Sequence, residues 1–357
     1  MTTSRDRRTE RPFPFGHAFE SASRMAGMTD TALVIGGTRF IGRHTVSELL
    51  ANDYEVGMLN RGTHENPFSD DDRVTHIEGD RKNERDLRTA KLSVEPDVVI
   101  DCVAYQPADV ETAADVFGDV DGYVYISSGD SYAAEEIPKR EGETPLRPCT
   151  PEQATDDGSN TYGNRKAEGD RVVFAAAEEG VRAMAVRPCI VYGPYDYTER
   201  LDYWIDRVLS HDRVVVPGDG QNLWHRAYVE DVASALRIVA ERGEAGRAYN
   251  VGDRRALTLE ETLEAIADAA GADCELVTAS ADALAAGGLE PDDFVLYGEY
   301  PHLLDTCALA DLGWESTPVD EAMARTVAEH READRDGSEW DPGREAEERV
   351  LGVKETL

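Results

Sequence analysis

Thr31-Ala32-Leu33-Val34-Ile35-Gly36-Gly37-Thr38-Arg39-Phe40-Ile41-Gly42 is the stretch that decides the fold. Thr31–Ile35 reads as a buried strand, and Phe40–Asn52 has the apolar spacing of an amphipathic helix. Between them the glycines let backbone N–H groups approach a pyrophosphate, and the helix N-terminus offers partial positive charge. Gly42 is expected to allow close packing of helix on strand. The strand before and the helix after give this glycine pattern the context of a dinucleotide-binding loop. A tight turn that holds no ligand is the competing reading. Three-glycine versions of such a loop have a middle glycine where this chain has Arg39, whose side chain can cover the adenine, reach a ribose phosphate or point to solvent.

Downstream, Tyr54–Leu59, Val74–Ile77, Asp97–Cys102 and Tyr123–Ile126 read as further short apolar strands. With amphipathic helices between them they predict an α/β fold, a Rossmann doubly wound parallel sheet covered on both faces. The second strand ends at Asn60 and is followed by Arg61, where an NAD site carries a carboxylate for the ribose hydroxyls. Losing that carboxylate and gaining a cation favours a 2′-phosphate, so NADP is preferred over NAD; an ordinary surface role for Arg61 is the alternative. Asp80, after the third strand, can accept a hydrogen bond from the adenine amino group. Beyond Val186 the pattern loosens. Arg187–Pro194 ends a strand in a Gly-Pro turn, and Leu201–Leu209, Val229–Arg242 and Leu259–Ala270 read as helices. Val214–Pro217 and Ala248–Val251 read as strands.

The expected organisation is a disordered extension over 1–29, a nucleotide domain over 30–190, a smaller C-terminal α/β substrate lobe over 191–335 whose segments return to the sheet, and a charged tail or helix over 336–357. Residues 1–29 are Arg-rich and without periodicity, and Met28 is read as the start of the folded chain. No stretch reaches the roughly 18 apolar residues of a spanning helix, so a cytoplasmic protein with no membrane partner is expected. The five cysteines are scattered and form no CxxC pair, which argues against a metal site or a disulfide framework. The formal charge is −35, and only Lys82, Lys91, Lys139, Lys166 and Lys354 of the 37 basic residues are lysines. Such self-repulsion is relieved in concentrated salt, where the Debye length falls to about 3 Å at 1 M, and a halophilic protein is the expectation. The same charge argues against nucleic acid as a partner.

Tyr162 and Lys166 stand at i and i+4, on one face of a helix. A phenol ordinarily titrates near 10, and working as a base at neutral pH requires about 4 kcal/mol of differential stabilisation. A neighbouring cation supplies part of that, so Lys166 is read as tuning Tyr162 and holding the nicotinamide ribose. The fifth strand ends at Ser127-Ser128, and a hydroxyl at a strand's carboxyl end faces the ligand crevice. Ser128 would then bind the reacting oxygen while Tyr162 exchanges its proton. Tyr195 and Arg200, followed by Trp224 and Arg226, combine aromatic and cationic groups suited to a sugar and its phosphate or carboxylate, although hinge or core aromatics and surface pairs fit them equally. His225 reads as structural.

GGTRFIG at Gly36–Gly42, ISSGDSY at Ile126–Tyr132, YGNRK at Tyr162–Lys166, RPCIVYGP at Arg187–Pro194 and YVEDVA at Tyr228–Ala233 together resemble the extended short-chain dehydrogenase/reductase superfamily of nucleotide-sugar epimerases and dehydratases. The GGTRFIG form resembles an atypical branch that includes chloroplast stem-loop-binding proteins. The resemblance covers about Thr31 to Leu312 and implies Ser128, Tyr162 and Lys166 as the catalytic set, a small-molecule sugar-type substrate, and often a homodimer. It also implies a cofactor wall of Gly36, Gly37, Thr38, Arg39, Phe40, Ile41, Gly42, Asn60, Arg61, Asp80, Val103, Ala104, Tyr162, Lys166 and Pro188. Three features depart from the pattern, one being that the Asn upstream of the triad in many relatives has no counterpart near Tyr105-Gln106. Dehydratases of this type place an Asp-Glu pair where this chain has Gly129-Asp130, and the diphosphate-binding Arg seven residues before Asp231 is Trp224. The expected function is therefore an NAD(P)-dependent epimerase, reductase or dehydrogenase, with a non-enzymatic or RNA-associated protein of the same fold as the alternative.

Overall fold

The computed structural model describes residues 30–354, so the expectations for residues 1–29 lie outside the described residues. Seven parallel strands form the central sheet: β1 (Thr31–Ile35), β2 (Glu55–Asn60), β3 (Val74–Glu78), β4 (Val98–Asp101), β5 (Gly122–Ile126), β6 (Ala183–Pro188) and β10 (Ala248–Val251). Their spatial order is β10-β6-β5-β4-β1-β2-β3, so the chain direction reverses across the β1–β4 boundary. A crevice at such a boundary, beyond the carboxyl ends of the strands, is where doubly wound sheets bind ligands. Helices α1 (Phe40–Ala51), α2 (Glu84–Val94), α3 (Pro107–Val116), α4 (Pro151–Ala154), α5 (Tyr162–Glu178) and α7 (Val229–Arg242) belong to this half. Two apolar clusters, one containing Val34, Ile100 and Val124 and the other Leu33, Val99 and Tyr123, pack the opposite faces of the sheet, as successive strand residues must.

The run Arg187–Pro194, expected as one strand, is two. β6 ends at Pro188, and β7 (Ile190–Tyr192) leaves the main sheet to pair with β9 (Arg226–Tyr228). Proline has no N–H for a ladder, which suits the change of partner at this point. A third small sheet pairs β8 (Arg213–Pro217) with β11 (Glu275–Ala279). Around these strands lie α6 (Arg200–Ser210), α8 (Leu259–Ala270), α9 (Ala281–Gly287), α10 (Cys307–Ala310), α11 (Val319–Glu332) and α12 (Arg344–Lys354). Thr258 caps α8 in a reciprocal arrangement with Glu261, the start that the Thr-Leu-Glu-Glu run indicates.

The charged C-terminal segment is not peripheral. Glu347 is fully buried in α12, accepting from the Tyr203 hydroxyl at 3.0 Å, Arg207 Nε at 3.2 Å and Arg344 Nη1 at 3.0 Å. A sequence of charges reads as solvated surface, but here one of the two arginines that neutralise the carboxylate, Arg207, comes from α6, and the other, Arg344, from the first turn of α12. Trp340 Nε1 donates to the Thr198 carbonyl at 2.8 Å, tying this segment to the loop before α6.

Where β7, β9 and β10 converge, the buried Asp253 carboxyl accepts from the Tyr228 amide at 2.9 Å and the Tyr192 hydroxyl at 3.0 Å. Burial pushes its pKa up to about 7. The unfolded chain releases this proton at a lower pH than the folded one, so the stability linked to it is full below about pH 4 and lost as pH rises through 7. Asp253→Asn keeps an acceptor but cannot ionise. The melting temperature of this variant is expected to gain on wild type between about pH 4 and 7, and a difference independent of pH would contradict the assignment.

Candidate active site

The loop after β1 is built by close backbone approach. Gly36 has φ +93°, and a Cβ at Gly42 would stand 2.0 Å from the Gly36 carbonyl oxygen. Gly42 thus lets α1 approach the backbone that directly follows β1. Gly37 is held as tightly, since a Cβ there would meet Met58 Cγ at 2.6 Å. Helix α1 opens with no side-chain cap at Arg39 and no acidic residue in its first turn, whereas α2 and α8 are capped by Asn83 and Thr258. Its first N–H groups are left for an anion, and this fits the pyrophosphate of a dinucleotide.

At the far end of β2, Asn60 Oδ1 accepts from the Gly62 amide at 2.9 Å and faces His76 Nε2 at 3.0 Å. Asn60 Nδ2 is buried without a partner and Arg61 is exposed. Asp80 accepts from the Lys82 amide at 2.9 Å. Val103 packs against Gly36, and Ala104 supplies a carbonyl to Lys166. Pro188 closes β6.

Lys166 is 2% exposed, and its Nζ donates to the carbonyls of Ala104 at 2.8 Å and Ile126 at 2.7 Å. These are the residues that follow β4 and end β5, so one ammonium bridges the mouths of two strands. An ammonium has three protons, and one remains for a ribose hydroxyl. Burial lowers the Lys166 pKa to about 8, against the pull of Asp101 and Asp170. Asp101 is itself buried in an ion pair with Arg81, which also reaches Asp109 at 3.1 Å.

Tyr162 opens α5 and hydrogen-bonds Ser128. Burial pushes its pKa up to about 12, with Ser128 and Arg200 pulling the other way and Asp130 adding to the rise. Lys166 Nζ lies 5.7 Å from the centroid of the Tyr162 ring and is engaged with carbonyls. The lysine thus clamps the strand ends beside Tyr162, whose raised pKa makes it a neutral phenol at neutral pH. Gly163 is a requirement missed from the sequence. A Cβ there would lie 2.4 Å from the Asp130 carbonyl oxygen, so only glycine lets α5 dock on the turn carrying Ser128.

The loop before α6 lies over the phosphate loop. The Arg39 guanidinium stacks on Tyr197 at 3.5 Å and that of Arg43 on Tyr195 at 3.6 Å. Tyr197 also meets Phe40 edge-on and hydrogen-bonds Tyr105. Arg39 thus stacks on the tyrosine loop while remaining exposed. Arg200 donates to Thr198 Oγ1 at 3.1 Å and lowers the Tyr162 pKa, which brings it to the site. Trp224 packs on Gly298. Arg226 is 5% exposed, donating to Thr262 Oγ1 at 2.9 Å, with Nε and Nη2 unpartnered. His225 is a structural link, accepting at Nδ1 from the Leu304 amide at 3.2 Å while Nε2 faces the Asp253 carbonyl at 2.7 Å.

Lys166→Met leaves the Ala104 and Ile126 carbonyls without their donor, and each buried unsatisfied acceptor costs about 1–3 kcal/mol. The ligand-free variant is expected to melt well below wild type. An unchanged melting temperature would show that the clamp carries no weight.

The comparisons with known proteins agree with this layout. The NAD dependent epimerase/dehydratase family matches residues 32–252. The chain is 27% identical over 252 residues to the chloroplast stem-loop binding protein of 41 kDa b from Arabidopsis thaliana, covering 67% of this chain and 63% of that protein, less than two thirds of its length. It is 30% identical over 266 residues to the low-salt glycan biosynthesis protein Agl12 of Haloferax volcanii, covering 67% of this chain and 82% of that one. Among solved structures, dTDP-glucose 4,6-dehydratase of Bacillus anthracis in complex with NAD superposes with a TM-score of 0.67 at 21% identity, covering 87% and 98% of the two chains. The UDP-glucose 4-epimerase of Thermotoga maritima with UDP-glucose gives 0.67 at 21%, covering 85% and 99%. The chain belongs to the NAD dependent epimerase/dehydratase family.

Proposed function

We propose that the protein is an NAD(P)-dependent epimerase or dehydrogenase/reductase acting on a sugar or nucleotide-sugar substrate, with Ser128, Tyr162 and Lys166 as its working groups. The observation that carries this reading is the contact of the half-buried Tyr162 with Ser128, set beside Lys166 at the carboxyl ends of β4 and β5. A bound nicotinamide dinucleotide supplies the site that takes up or returns a hydride. Ser128 binds the substrate oxygen and Tyr162 holds or receives its proton at Oη. Lys166 orients the ribose with its remaining N–H. Oxidation requires Tyr162 to lose its proton, so the oxidative rate rises with pH toward the phenol's raised pKa, and the reverse direction draws on the neutral phenol.

Arg61, exposed beside the unpartnered Asn60 amide, supports selection of a 2′-phosphate and hence of NADP. The tyrosine loop stacked on Arg39 and Arg43 supports slow release of the cofactor. Gly129 in place of a carboxylate supports epimerase or reductase chemistry over loss of water. The name of the chloroplast relative suggests nucleic acid, but a formal charge of −35 opposes contact with phosphates. That charge also supports a protein working in concentrated salt; full folding and highest activity near 0.1 M salt would contradict it.

The test is titration of wild type and Arg61→Ala with NAD(H) and NADP(H) in about 2 M KCl, where surface charge is screened. Wild type is expected to bind a dinucleotide, and Arg61→Ala to lose about tenfold in affinity for NADP while keeping NAD. Equal loss for both would remove the selectivity argument. Absence of any binding would overturn the function.

A further inference from the structure

His302 is the one histidine near the Ser128 turn that the site description leaves without work. It lies on the segment Pro301–Thr306, which threads between the strand region before β9 and the chain around Lys139. Its amide donates to the Leu223 carbonyl at 2.9 Å, its carbonyl accepts from the His225 amide at 2.8 Å, and the next turns of this ribbon bond Lys139 and Asp305. Parallel bridges join Trp224 to His302 and Lys139 to Leu304. The His302 backbone is thus fixed on the Leu223–His225 segment, and the residues after it on the chain around Lys139.

The ring packs over Gly129, the residue immediately after Ser128. A Cβ at that position would stand 3.0 Å from His302 Nε2 and 3.1 Å from Leu304 Cδ1. Any larger side chain at 129 would take the space the imidazole holds. Among the described residues neither ring nitrogen has a hydrogen-bond partner. His302 is half-buried, and the buried histidines differ: His225 uses both nitrogens, and His330 pairs with Asp202 at 2.7 Å. Burial, Lys139, His225 and Arg147 together lower the His302 pKa to about 4. At neutral pH the ring is uncharged and offers one donor and one acceptor, the complement of a hydroxyl.

We infer that His302 contacts the substrate directly, hydrogen-bonding a hydroxyl next to the reacting carbinol, and that Gly129 leaves it the room to do so. The assignment rests on the proposed function and names a residue for its substrate half: the C-terminal segment contributes a polar group to the crevice beside the nucleotide-binding half's serine. A polar group placed to bind a substrate hydroxyl discriminates strongly against ligands that lack it.

The test uses the dinucleotide-loaded protein with UDP-glucose and dTDP-glucose as probes, comparing wild type, His302→Asn and His302→Phe. Calorimetry measures binding of each probe and of the dinucleotide, and the imidazole resonances of wild type, assigned by their absence in His302→Asn, are followed by NMR. The expected result is a shift of the His302 resonance on adding a probe and a loss of about tenfold or more in probe affinity in both variants, with dinucleotide affinity unchanged. A role in packing alone would spare His302→Phe, which keeps an aromatic ring, and would leave the resonance unmoved; that result overturns the inference. Dinucleotide binding without binding of either probe by wild type overturns the nucleotide-sugar reading and the inference with it.

Discussion

Beneath the crevice runs a chain of buried polar groups on which the arrangement of the site depends. Asp170, one turn beyond Lys166 on α5, receives Arg187 Nε of β6 at 2.9 Å. Arg187 Nη1 donates to the Tyr132 hydroxyl at 2.8 Å, and that hydroxyl donates to Asn250 Oδ1 at 2.8 Å. Asn250 Nδ2 then donates to the carbonyls of Lys139 at 3.2 Å and Asp305 at 3.0 Å. The relay joins the helix bearing Tyr162 and Lys166, the turn bearing Ser128, and the segment bearing His302. Breaking a buried ion pair by removing one partner costs about 3–5 kcal/mol, and here it would also free three segments that must stay in register. Placement of the reacting groups is thus a property of the polar interior as much as of the sheet.

Much of this was legible in the sequence. The Gly36–Gly42 loop, Ser128 and the Tyr162–Lys166 pair are local patterns whose meaning follows from strand and helix periods, and the parallel sheet follows from the strands themselves. The backbone partners of Gly42 and Lys166 were not legible. Gly42 stands against the Gly36 carbonyl, and Lys166 holds two backbone oxygens from the ends of separate strands. His302, the Tyr105–Tyr197 contact, the partners of Glu347 and the change of strand at Cys189 depend on segments brought together only by the tertiary fold. Gly163 had a local signal, a glycine directly after the candidate tyrosine, but its reason lies across space at Asp130.

The arginine-rich basic complement has a structural counterpart. Arg81, Arg187 and Arg207 are nearly buried, and each meets one or two carboxylates, Asp101 and Asp109, Asp170, and Glu347 and Asp341 respectively. A guanidinium presents several donors in a fixed plane and stays charged when desolvated, which suits it to such pairs better than an ammonium. The one buried lysine at the site, Lys166, is held by neutral carbonyls, and burial lowers its pKa.

The central claim is that this crevice moves a hydride between a bound nicotinamide and a sugar carbon under the control of Tyr162. The most direct measurement is the absorbance of reduced nicotinamide after rapid mixing of the dinucleotide-loaded protein with a panel of nucleotide sugars and free sugars, in wild type and in Tyr162→Phe. The account predicts a transient or lasting absorbance change with at least one substrate in wild type and its loss in the variant, which still holds the dinucleotide. A change of equal size and rate in Tyr162→Phe, or none with any sugar in a fully loaded wild type, would contradict it.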